Sequence, residues 1–311
     1  MIVDIVVPCF NEEAVVEVAG DVFIRKLDQL VMSGLIAKES SILFIDDGSY
    51  DNTWNLIKAI VNRNPGQVKG IKLSGNKGHQ NAVLAGLNTS IADAVISIDA
   101  DLQDDVNAID RMIAAHLSGA EIVFGVRSCR ASDTLFKRFT AESYYRFLAL
   151  CGMETVFNHA DYRLLGRRAI EALKEYSEVN LFLRGLVTKL GFKSQIVEYV
   201  RVERIAGESK YPLRKMLSLA WDGITSFSTM PIRWITFCGF SVALIALLSG
   251  LWVIWVVLIQ KNVVPGWASV ALPMFFLGGI QLIALGVIGE YIGKIYMETK
   301  RRPRYVIEEI I

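Results

Sequence analysis

The sequence predicts an α/β domain with a mostly parallel sheet, followed by a helical hairpin that spans a membrane. Three observations support this prediction. Up to about residue 210, short apolar runs alternate with helix-like stretches, as they do in α/β proteins. Two long runs without a charged residue follow, at 234–259 and 267–289. The segment between these runs is short and contains Pro265 and Gly266, which is typical of a turn between two helices.

The composition excludes several classes of protein. The chain has 311 residues, and its 33 Lys and Arg residues balance 32 Asp and Glu residues to a formal charge of +1. This balance provides no basic surface for a polynucleotide, so nucleic acid is not an expected partner. Hydrophobic residues make up 52% of the chain, and the excess over a soluble enzyme lies almost entirely after Arg233. The four cysteines form no CxxC pair, which argues against a structural zinc site and a disulfide framework.

The two hydrophobic runs predict a protein of the inner (plasma) membrane with two spans. A spanning helix needs about 20 apolar residues, and both runs reach that length. A buried helical hairpin of a soluble protein is the alternative. Arg233 precedes the first run and Lys261 lies between the runs, whereas five basic residues follow the second. The positive-inside rule therefore predicts a cytoplasmic domain and a cytoplasmic C-terminus.

The chain is accordingly expected to have four parts. Residues 1–211 form the α/β domain, and residues 212–231 form an amphipathic juxtamembrane segment. Residues 232–293 contain the two membrane helices, and residues 294–311 form a basic cytoplasmic tail. The tail is expected either to contact anionic headgroups or to be solvated.

Five apolar segments of the first part have the length and composition of strands. They are residues 2–7, 41–45, 68–72, 94–98 and 121–125. Polar turn residues and then a helical pattern follow each of the first four, which predicts parallel strands joined by helices. Open parallel sheets bind their ligands at the carboxyl ends of the strands, so the residues just after these segments are the candidates for function.

The strongest candidate site follows the fourth segment. Asp99, Asp101, Asp104 and Asp105 place four carboxylates within seven residues. Their mutual repulsion opposes folding unless a positive charge offsets it, and a hard divalent cation such as Mg²⁺ or Mn²⁺ does so. A solvated acidic turn is the alternative.

The first three segments also end in polar residues. Asn11 and Glu12 follow the first, a pattern that also fits a helix N-terminus with Asn11 as its cap. Asp46 and Asp47 end the second, and two adjacent carboxylates suit hydrogen bonds to a ring N–H or a ribose hydroxyl. The glycines of stretch 74–82 allow a ligand to approach the backbone closely. That stretch matches neither a P-loop nor a dinucleotide fingerprint.

Basic residues become frequent after the fifth segment. Arg204, Ser209 and Lys210 surround a glycine just before the juxtamembrane segment, which suits the binding of a phosphate at headgroup height. Asp161 has aromatic and basic neighbours, among them Arg163. It is either a catalytic carboxylate or the partner of an arginine, and both interpretations stay open.

Together these motifs resemble glycosyltransferase family 2, and more narrowly its polyprenyl-phosphate glycosyltransferases. This branch includes the bactoprenol glucosyltransferases and the dolichol-phosphate mannose synthases. The matching motifs, in the order of the family, are PCFNEE from Pro8, DDGSYDNT from Asp46, GNKGHQNAVLAG from Gly75, DADLQD from Asp99, HADYRLLGRR from His159 and RIAGESKY from Arg204. The resemblance covers nearly all of residues 1–211 and implies a GT-A-type, Rossmann-like domain. The presence of two C-terminal hydrophobic runs is similar to the architecture of the bactoprenol branch.

The resemblance also implies roles for individual residues. Those expected to contact the nucleotide sugar are Pro8, Phe10, Asn11, Glu12, Asp46, Asp47, Lys77 and Asp99. Asp101 and Gln103 are expected to hold the divalent metal, and Asp101 and Asp161 to be catalytic. Those expected to bind the acceptor phosphate are Arg127, Lys137, Arg138, Arg163, Arg204, Ser209 and Lys210. Ala141 stands where related mannose synthases carry a phosphate-binding serine, which leaves Thr140 or Ser143 as substitutes.

The implied reaction moves one sugar, expected to be glucose, from a UDP-sugar to polyprenyl (undecaprenyl) phosphate with inversion. The product would serve a cell-envelope glycan or O-antigen modification, and membrane lipid and further copies of the chain are expected partners. The acceptor phosphate is already anionic, so the main requirement is to stabilise charge on the departing UDP. N-acetylglucosamine, galactose, mannose from GDP and modified arabinose are alternative sugars. A non-catalytic nucleotide-sugar sensor or transport subunit is the alternative from another class.

Overall fold

The computed structural model describes residues 1–128, 159–176, 178, 183–200, 230–255 and 267–311. The chain divides into two compact units. The described residues up to 200 and residues 301–311 belong to the first unit, and the other described residues, up to 300, belong to the second.

The first unit is built on an eight-stranded sheet. Its strands are β1 (Val3–Cys9), β2 (Ile42–Asp46), β3 (Val68–Leu73), β4 (Ala94–Ser97), β5 (Ile122–Arg127), β6 (His159–Gly166), β7 (Ser194–Tyr199) and β8 (Ile307–Ile310). Their order across the sheet is β7-β5-β6-β4-β1-β2-β3-β8. The β4-β1-β2-β3 part is parallel, as is the pair of β5 and β7. By contrast, β6 runs antiparallel to both β4 and β5, and β8 runs antiparallel to β3.

Helices of the first unit cover the sheet with amphipathic faces. They are α1 (Val16–Met32), α2 (Thr53–Arg63), α3 (His79–Thr89), α4 (Ala108–Leu117), α5 (Arg167–Lys174) and α6 (Leu183–Lys189). In α1 the buried residues Ala19, Phe23, Leu27 and Leu30 recur at intervals of three and four, which places them on one face of the helix. They pack with buried strand residues such as Ile5 in one hydrophobic core.

All five predicted strands are present, with ends that differ from the prediction by a few residues. The sheet contains two antiparallel strands, β6 and β8, but it is mostly parallel as predicted, since four of the seven described strand pairs are parallel. Strands β6, β7 and β8 were not predicted. Features of β7 and β8 explain why these two strands were not predicted. The burial of β7 is irregular, with Ile196 57% exposed, and β8 lies in a segment that was expected to be a charged tail.

The C-terminal tail was expected to lie at a membrane surface or in solvent, but its last residues form a strand of the sheet instead. Strand Ile307–Ile310 pairs with β3, and Lys72 Nζ lies 3.0 Å from Glu308 Oε1. Ile311 exchanges backbone hydrogen bonds with Gly70, and a Cβ atom at Gly70 would lie only 2.9 Å from Ile311 Cγ1. The tail therefore covers the edge of β3, which would otherwise expose unpaired backbone groups.

The second unit contains two long apolar helices, α7 (Met230–Trp255) and α8 (Trp267–Thr299). They overlap the two predicted hydrophobic runs, but α7 begins four residues before the predicted start at 234, and α8 continues ten residues past the predicted end at 289. Within the described part of the chain, one stretch, Phe276–Thr299, is long and apolar enough to cross a membrane, with a mean hydropathy of 1.5. The predicted juxtamembrane segment 212–231 lies outside the described residues except at its last two positions.

Candidate active site

Four strands bring the predicted site residues to one edge of the sheet. Strands β2, β1 and β4 are parallel neighbours, so the loops after their carboxyl ends are adjacent. Strand β6 runs the other way and pairs Arg163 with Ser97 of β4. This register brings Asp161, near the start of β6, level with Asp99, which follows β4. The edge therefore combines residues that lie more than 60 positions apart in the sequence.

The loops after β1 and β2 are joined by reciprocal hydrogen bonds. Asn11 adopts a left-handed backbone conformation (φ 54°), and its Oδ1 accepts a hydrogen bond from the backbone N–H of Tyr50 at 2.9 Å. Its own N–H donates to Ser49 Oγ at 3.0 Å, and the N–H of Glu12 donates to Thr53 Oγ1 at 2.9 Å. The interpretation of Asn11 as a helix cap is therefore wrong, because α1 begins only at Val16 and Asn11 instead fixes the second loop.

Two aromatic rings lie beside this junction. Phe10 and Tyr50 are in edge-to-face contact, with ring centroids 6.1 Å apart. Tyr50 is 84% exposed, whereas Pro8 lies inside β1 and is buried. Of the predicted nucleoside contacts, Phe10 thus lies at the mouth of the site and Pro8 lies in the sheet beneath it.

Asp47 holds the glycine-rich loop in place. Its Oδ1 accepts the backbone N–H of Lys77 at 2.7 Å, and its Oδ2 accepts the backbone N–H of Gly78 at 2.9 Å. Burial raises the pKa of both Asp46 and Asp47. The side chain of Lys77 remains exposed. The observed hydrogen bonds of Asp47 are thus structural, while buried Asp46 lies beside it at the end of β2.

The acidic loop after β4 meets a histidine that the sequence analysis assigned no role. Nε2 of His79 lies 3.6 Å from Asp99 Oδ1 and 3.7 Å from Asp161 Oδ2. This nitrogen is buried and makes no hydrogen bond to any described residue. Desolvation raises the pKa of Asp99. The nearby His79 lowers this pKa, whereas the negative charges of Asp161, Asp104 and Asp101 raise it further. The carboxylates are therefore close enough to repel one another.

Asp101 and Gln103 lie on a tight turn of this loop. Leu102 between them has a positive φ of 53°, and the N–H of Gln103 donates to Asp101 Oδ1 at 3.1 Å. Within the described residues, no group of three or more His, Cys, Asp or Glu side chains is arranged so that it could hold a metal ion by itself. Magnesium commonly takes one or two carboxylates and completes its shell with water and phosphate oxygens. The hard oxygen donors of Asp101 and Gln103, close to repelling carboxylates, fit that type of site.

The guanidinium group of Arg127 offsets the charge of Asp104. This carboxylate is 4% exposed and accepts hydrogen bonds from Tyr199 Oη at 2.6 Å and from Arg127 Nη2 at 3.4 Å. Arg127 Nε also donates to Tyr199 Oη at 3.2 Å. Burial raises the pKa of Tyr199, and the negative charge of Asp104 raises it further. The hydroxyl therefore stays protonated and remains a hydrogen-bond donor at neutral pH. Arg127, expected to bind the acceptor phosphate, thus contacts the acidic loop here.

We expect Tyr199→Phe to destabilise the protein by about 1–3 kcal/mol, because it removes the shorter of the two hydrogen bonds to a buried carboxylate. Thermal unfolding of the purified protein measures the change. Tyr50→Phe is the matched control, since Tyr50 is 84% exposed and its loss of a hydroxyl should leave Tm unchanged. Equal Tm values for the wild type and Tyr199→Phe would contradict the structural role of this hydroxyl.

Asp161 lies between two arginines. Arg163 Nη2 donates to its Oδ1 at 2.7 Å, and Arg184 donates from Nε to Oδ1 at 3.1 Å and from Nη2 to Oδ2 at 2.9 Å. Burial alone would raise the pKa of Asp161, but Arg163 and Arg184 outweigh it and hold the pKa well below its ordinary value. Of the two interpretations left open, the structure thus displays Asp161 as a partner of arginines.

Sequence reasoning missed three residues of this edge: His79, Arg184 and Tyr199. His79 lies within a quoted motif, whereas Arg184 and Tyr199 stand in stretches without a motif.

Some of the predicted site residues lie outside the described residues: Lys137, Arg138, Arg204, Ser209 and Lys210, together with Thr140, Ala141 and Ser143. The described part of the site therefore contains the predicted nucleotide and metal residues and two of the predicted phosphate-binding arginines.

A family model and several known proteins are similar to this chain. The family model "Glycosyl transferase family 2" matches residues 4–174. The uncharacterized glycosyltransferase YkoT of Bacillus subtilis (strain 168) is 49% identical over 312 residues, which cover 99% of this chain and 91% of YkoT. The bactoprenol glucosyl transferase of Shigella phage SfX is 41% identical over 309 residues, 99% of each protein.

Among solved structures, mannosyl-3-phosphoglycerate synthase from Rubrobacter xylanophilus superposes with a TM-score of 0.49 at 17% identity, over 72% of each chain. The family match covers β1 to β6 and all of α5, and so includes the acidic loop and Asp161. The two relatives extend the similarity through α7, α8 and the C-terminal strand. The family model and the two relatives confirm the expectation from the motifs, and the chain belongs to glycosyl transferase family 2.

Proposed function

We propose that this protein transfers glucose from UDP-glucose to a polyprenyl phosphate, with undecaprenyl phosphate as the expected acceptor. The observation that carries the proposal is the 41% identity, over 99% of the chain, to a protein named bactoprenol glucosyl transferase. That similarity includes the apolar helices, which a transferase acting on a soluble acceptor does not need. The geometry supports the proposal, because acidic and cationic groups meet at the carboxyl edge of the sheet, where ligands of such sheets bind.

The nucleotide is proposed to lie over the joined loops after β1 and β2. Phe10 and Tyr50 offer aromatic surface to a base, and Asp46 lies beneath them at the end of β2. Lys77 belongs to the loop that Asp47 holds, and its exposed ammonium group suits a phosphate. Each of these contacts suits a uridine diphosphate, which has a flat base and two charged phosphates.

We propose that Asp101 and Gln103 hold Mg²⁺ or Mn²⁺, with Asp99 beside them near the ribose or the sugar. When bound, the metal supplies positive charge that stabilises the diphosphate as the bond to the sugar breaks. The protein contributes the turn at Leu102, which sets the spacing of the two metal ligands.

The acceptor phosphate is proposed to attack the anomeric carbon directly. Its oxygen forms the new bond while the bond from the sugar to the β-phosphate of UDP breaks, so the configuration inverts. No proton has to be removed, because the phosphate is already anionic at neutral pH. This chemistry requires cations around the two phosphates, and Arg127, Arg163 and Arg184 lie at this edge of the sheet.

Both long helices are proposed to span the membrane as a hairpin with the domain and the C-terminus in the cytoplasm. Strand β8 follows α8, yet it pairs with β3 in the sheet that precedes α7. This pairing keeps β3 and β8 on the same side of the membrane and so supports two spans rather than one. Exposed large apolar side chains along both helices, such as Phe237, Trp252 and Phe276, support contact with lipid or with further copies in a homo-oligomer.

A transfer assay tests the proposal. Purified protein is incubated with Mg²⁺, undecaprenyl phosphate and UDP-[¹⁴C]glucose, and the lipid is extracted into organic solvent. We expect label in the organic phase, and less of it when labelled UDP-N-acetylglucosamine, UDP-galactose or GDP-mannose replaces UDP-glucose. More label from another sugar would correct the donor. Binding of nucleotide sugar without lipid-linked label from any donor would favour the sensor alternative and contradict the proposal.

A further inference from the structure

Asp161 makes more contacts with guanidinium groups than are needed to balance its single negative charge. Its two oxygens accept three hydrogen bonds from guanidinium groups, and two of these come from Arg184. A buried carboxylate is balanced by one cation, and Arg163, whose side chain is 2% exposed, supplies that cation at 2.7 Å. The contact with Arg184 therefore calls for a reason other than the neutralisation of Asp161.

Arg184 differs from Arg163 in its access to solvent. Its side chain is 42% exposed, while that of Asp161 is 17% exposed. Hydrogen bonds from both Nε and Nη2 to one carboxylate fix the plane of the guanidinium group. A cation that is both fixed and accessible pays little entropy when it binds an anion, so it is preorganised for that purpose.

The helix that carries Arg184 is held from a second side. The backbone N–H of Leu183 at the start of α6 donates to Gln80 Oε1 at 2.7 Å. Gln80 follows His79 in α3, and His79 Nε2 approaches the same carboxylate of Asp161 at 3.7 Å. Strand β6 and helix α3 thus fix the position of Arg184 together, close to the acidic loop.

We propose that Asp161 is a positioning residue that holds the guanidinium group of Arg184 against a phosphate oxygen of a substrate, and that Asp161 takes no proton during the reaction. The inference rests on the proposed function, which brings two phosphate groups to this edge: the diphosphate of the donor and the monophosphate of the lipid acceptor. Both present the same charged oxygens to a guanidinium group. The low pKa of Asp161 agrees with this role, since a carboxylate that stays ionised is a weak base.

Two constants, one for binding and one from kinetics, distinguish the phosphates when they are measured on the full-length protein in detergent. One is the Kd of UDP in the presence of Mn²⁺, measured by calorimetry, and the other is the KM for undecaprenyl phosphate at saturating UDP-glucose. We expect Arg184→Gln to raise one of them by about ten- to a hundred-fold and to leave the other within about twofold. The constant that rises identifies the phosphate that Arg184 binds.

Two further variants separate charge from geometry. Arg184→Lys keeps the charge but loses the planar fork, so it should restore only part of the affected constant. Asp161→Asn should raise the same constant by a smaller factor, because Arg184 remains but is held less firmly. Arg63→Gln is the matched control, since exposed Arg63 also pairs with a carboxylate, Glu17, at 3.0 Å but lies on α2 outside the site. It should leave both constants unchanged.

Several results would overturn the inference. In one, Asp161→Asn lowers kcat while both constants stay unchanged, which indicates a role in the chemical step. In another, Arg184→Gln changes neither constant, or changes both together with a lower Tm, which indicates a structural role. Absence of lipid-linked label from the wild type contradicts the proposed function instead. In that case the UDP measurement, which needs no turnover, decides the inference alone, and an unchanged Kd overturns it.

Discussion

Replacement of Asp101 by alanine should reduce sugar transfer by at least about a hundred-fold while the protein remains folded. Asp101 lies on the turn after β4, and its Oδ1 accepts the backbone N–H of Gln103 at 3.1 Å. Loss of that hydrogen bond should cost about 1 kcal/mol, which is small beside the expected effect on transfer. Under the proposed metal assignment, the substitution also removes the positive charge that would stabilise the diphosphate as the bond to the sugar breaks.

Asp105→Asn is the matched control for Asp101→Ala. Asp105 belongs to the same acidic loop, but its Oδ1 accepts the N–H of Asn107 at the start of α4, a bond that an asparagine side chain also makes. We expect near-normal transfer from this variant. UDP binding should depend on Mn²⁺ in the wild type and in Asp105→Asn, and should lose that dependence in Asp101→Ala. Retention of most activity by Asp101→Ala with added Mg²⁺ or Mn²⁺ would contradict the metal assignment.

The part of the fold that was predictable is the part with a regular hydrophobic pattern. Strands β1, β2 and β4 are mostly apolar and buried throughout, so each appears in the sequence as an almost continuous apolar run. Strand β8 has the sequence IEEI, so half of its residues are charged, and among the described strands it pairs with β3 alone. Its place beside β3 depends on pairing over more than 200 residues, for which the local sequence contains no signal.

The site was predictable to a similar extent. Motif residues after parallel strands, such as Asp46 and Asp99, lie at one edge because parallel neighbours end together. The partner of each carboxylate was not predictable, because partners come from distant elements. The four carboxylates after β4 were expected to need a divalent cation, yet Arg127 at the end of β5 offsets the charge of Asp104. Tyr199 at the end of β7 donates a hydrogen bond to the same carboxylate. Arg184 reaches Asp161 only because α6 packs near the start of β6.

Substitution of Gly86 by alanine should lower Tm by roughly 5–10 °C, although alanine is the better helix former. Gly86 lies in α3 where the helix approaches the sheet closely. A Cβ atom there would lie 2.4 Å from Val6 Cγ1 and 3.2 Å from Ile45 Cδ1, both in fully buried strand residues. Because β-branched Val6 cannot move its methyl groups away, α3 has to shift outward. His79 begins this helix, so transfer activity should fall together with Tm.

The cause of that loss can be isolated with a second substitution. Val6→Ala removes the methyl groups that a Cβ atom at position 86 would meet, at the cost of a small cavity. The double variant should therefore be more stable than the sum of the two single effects predicts, by at least about 1 kcal/mol. Gly20→Ala in α1 is the matched control, since its Cβ atom would meet only the flexible end of Ile60, at 3.1 Å. If the two single effects add, or if Gly20→Ala is as harmful as Gly86→Ala, close packing of α3 on β1 is not what requires glycine at position 86.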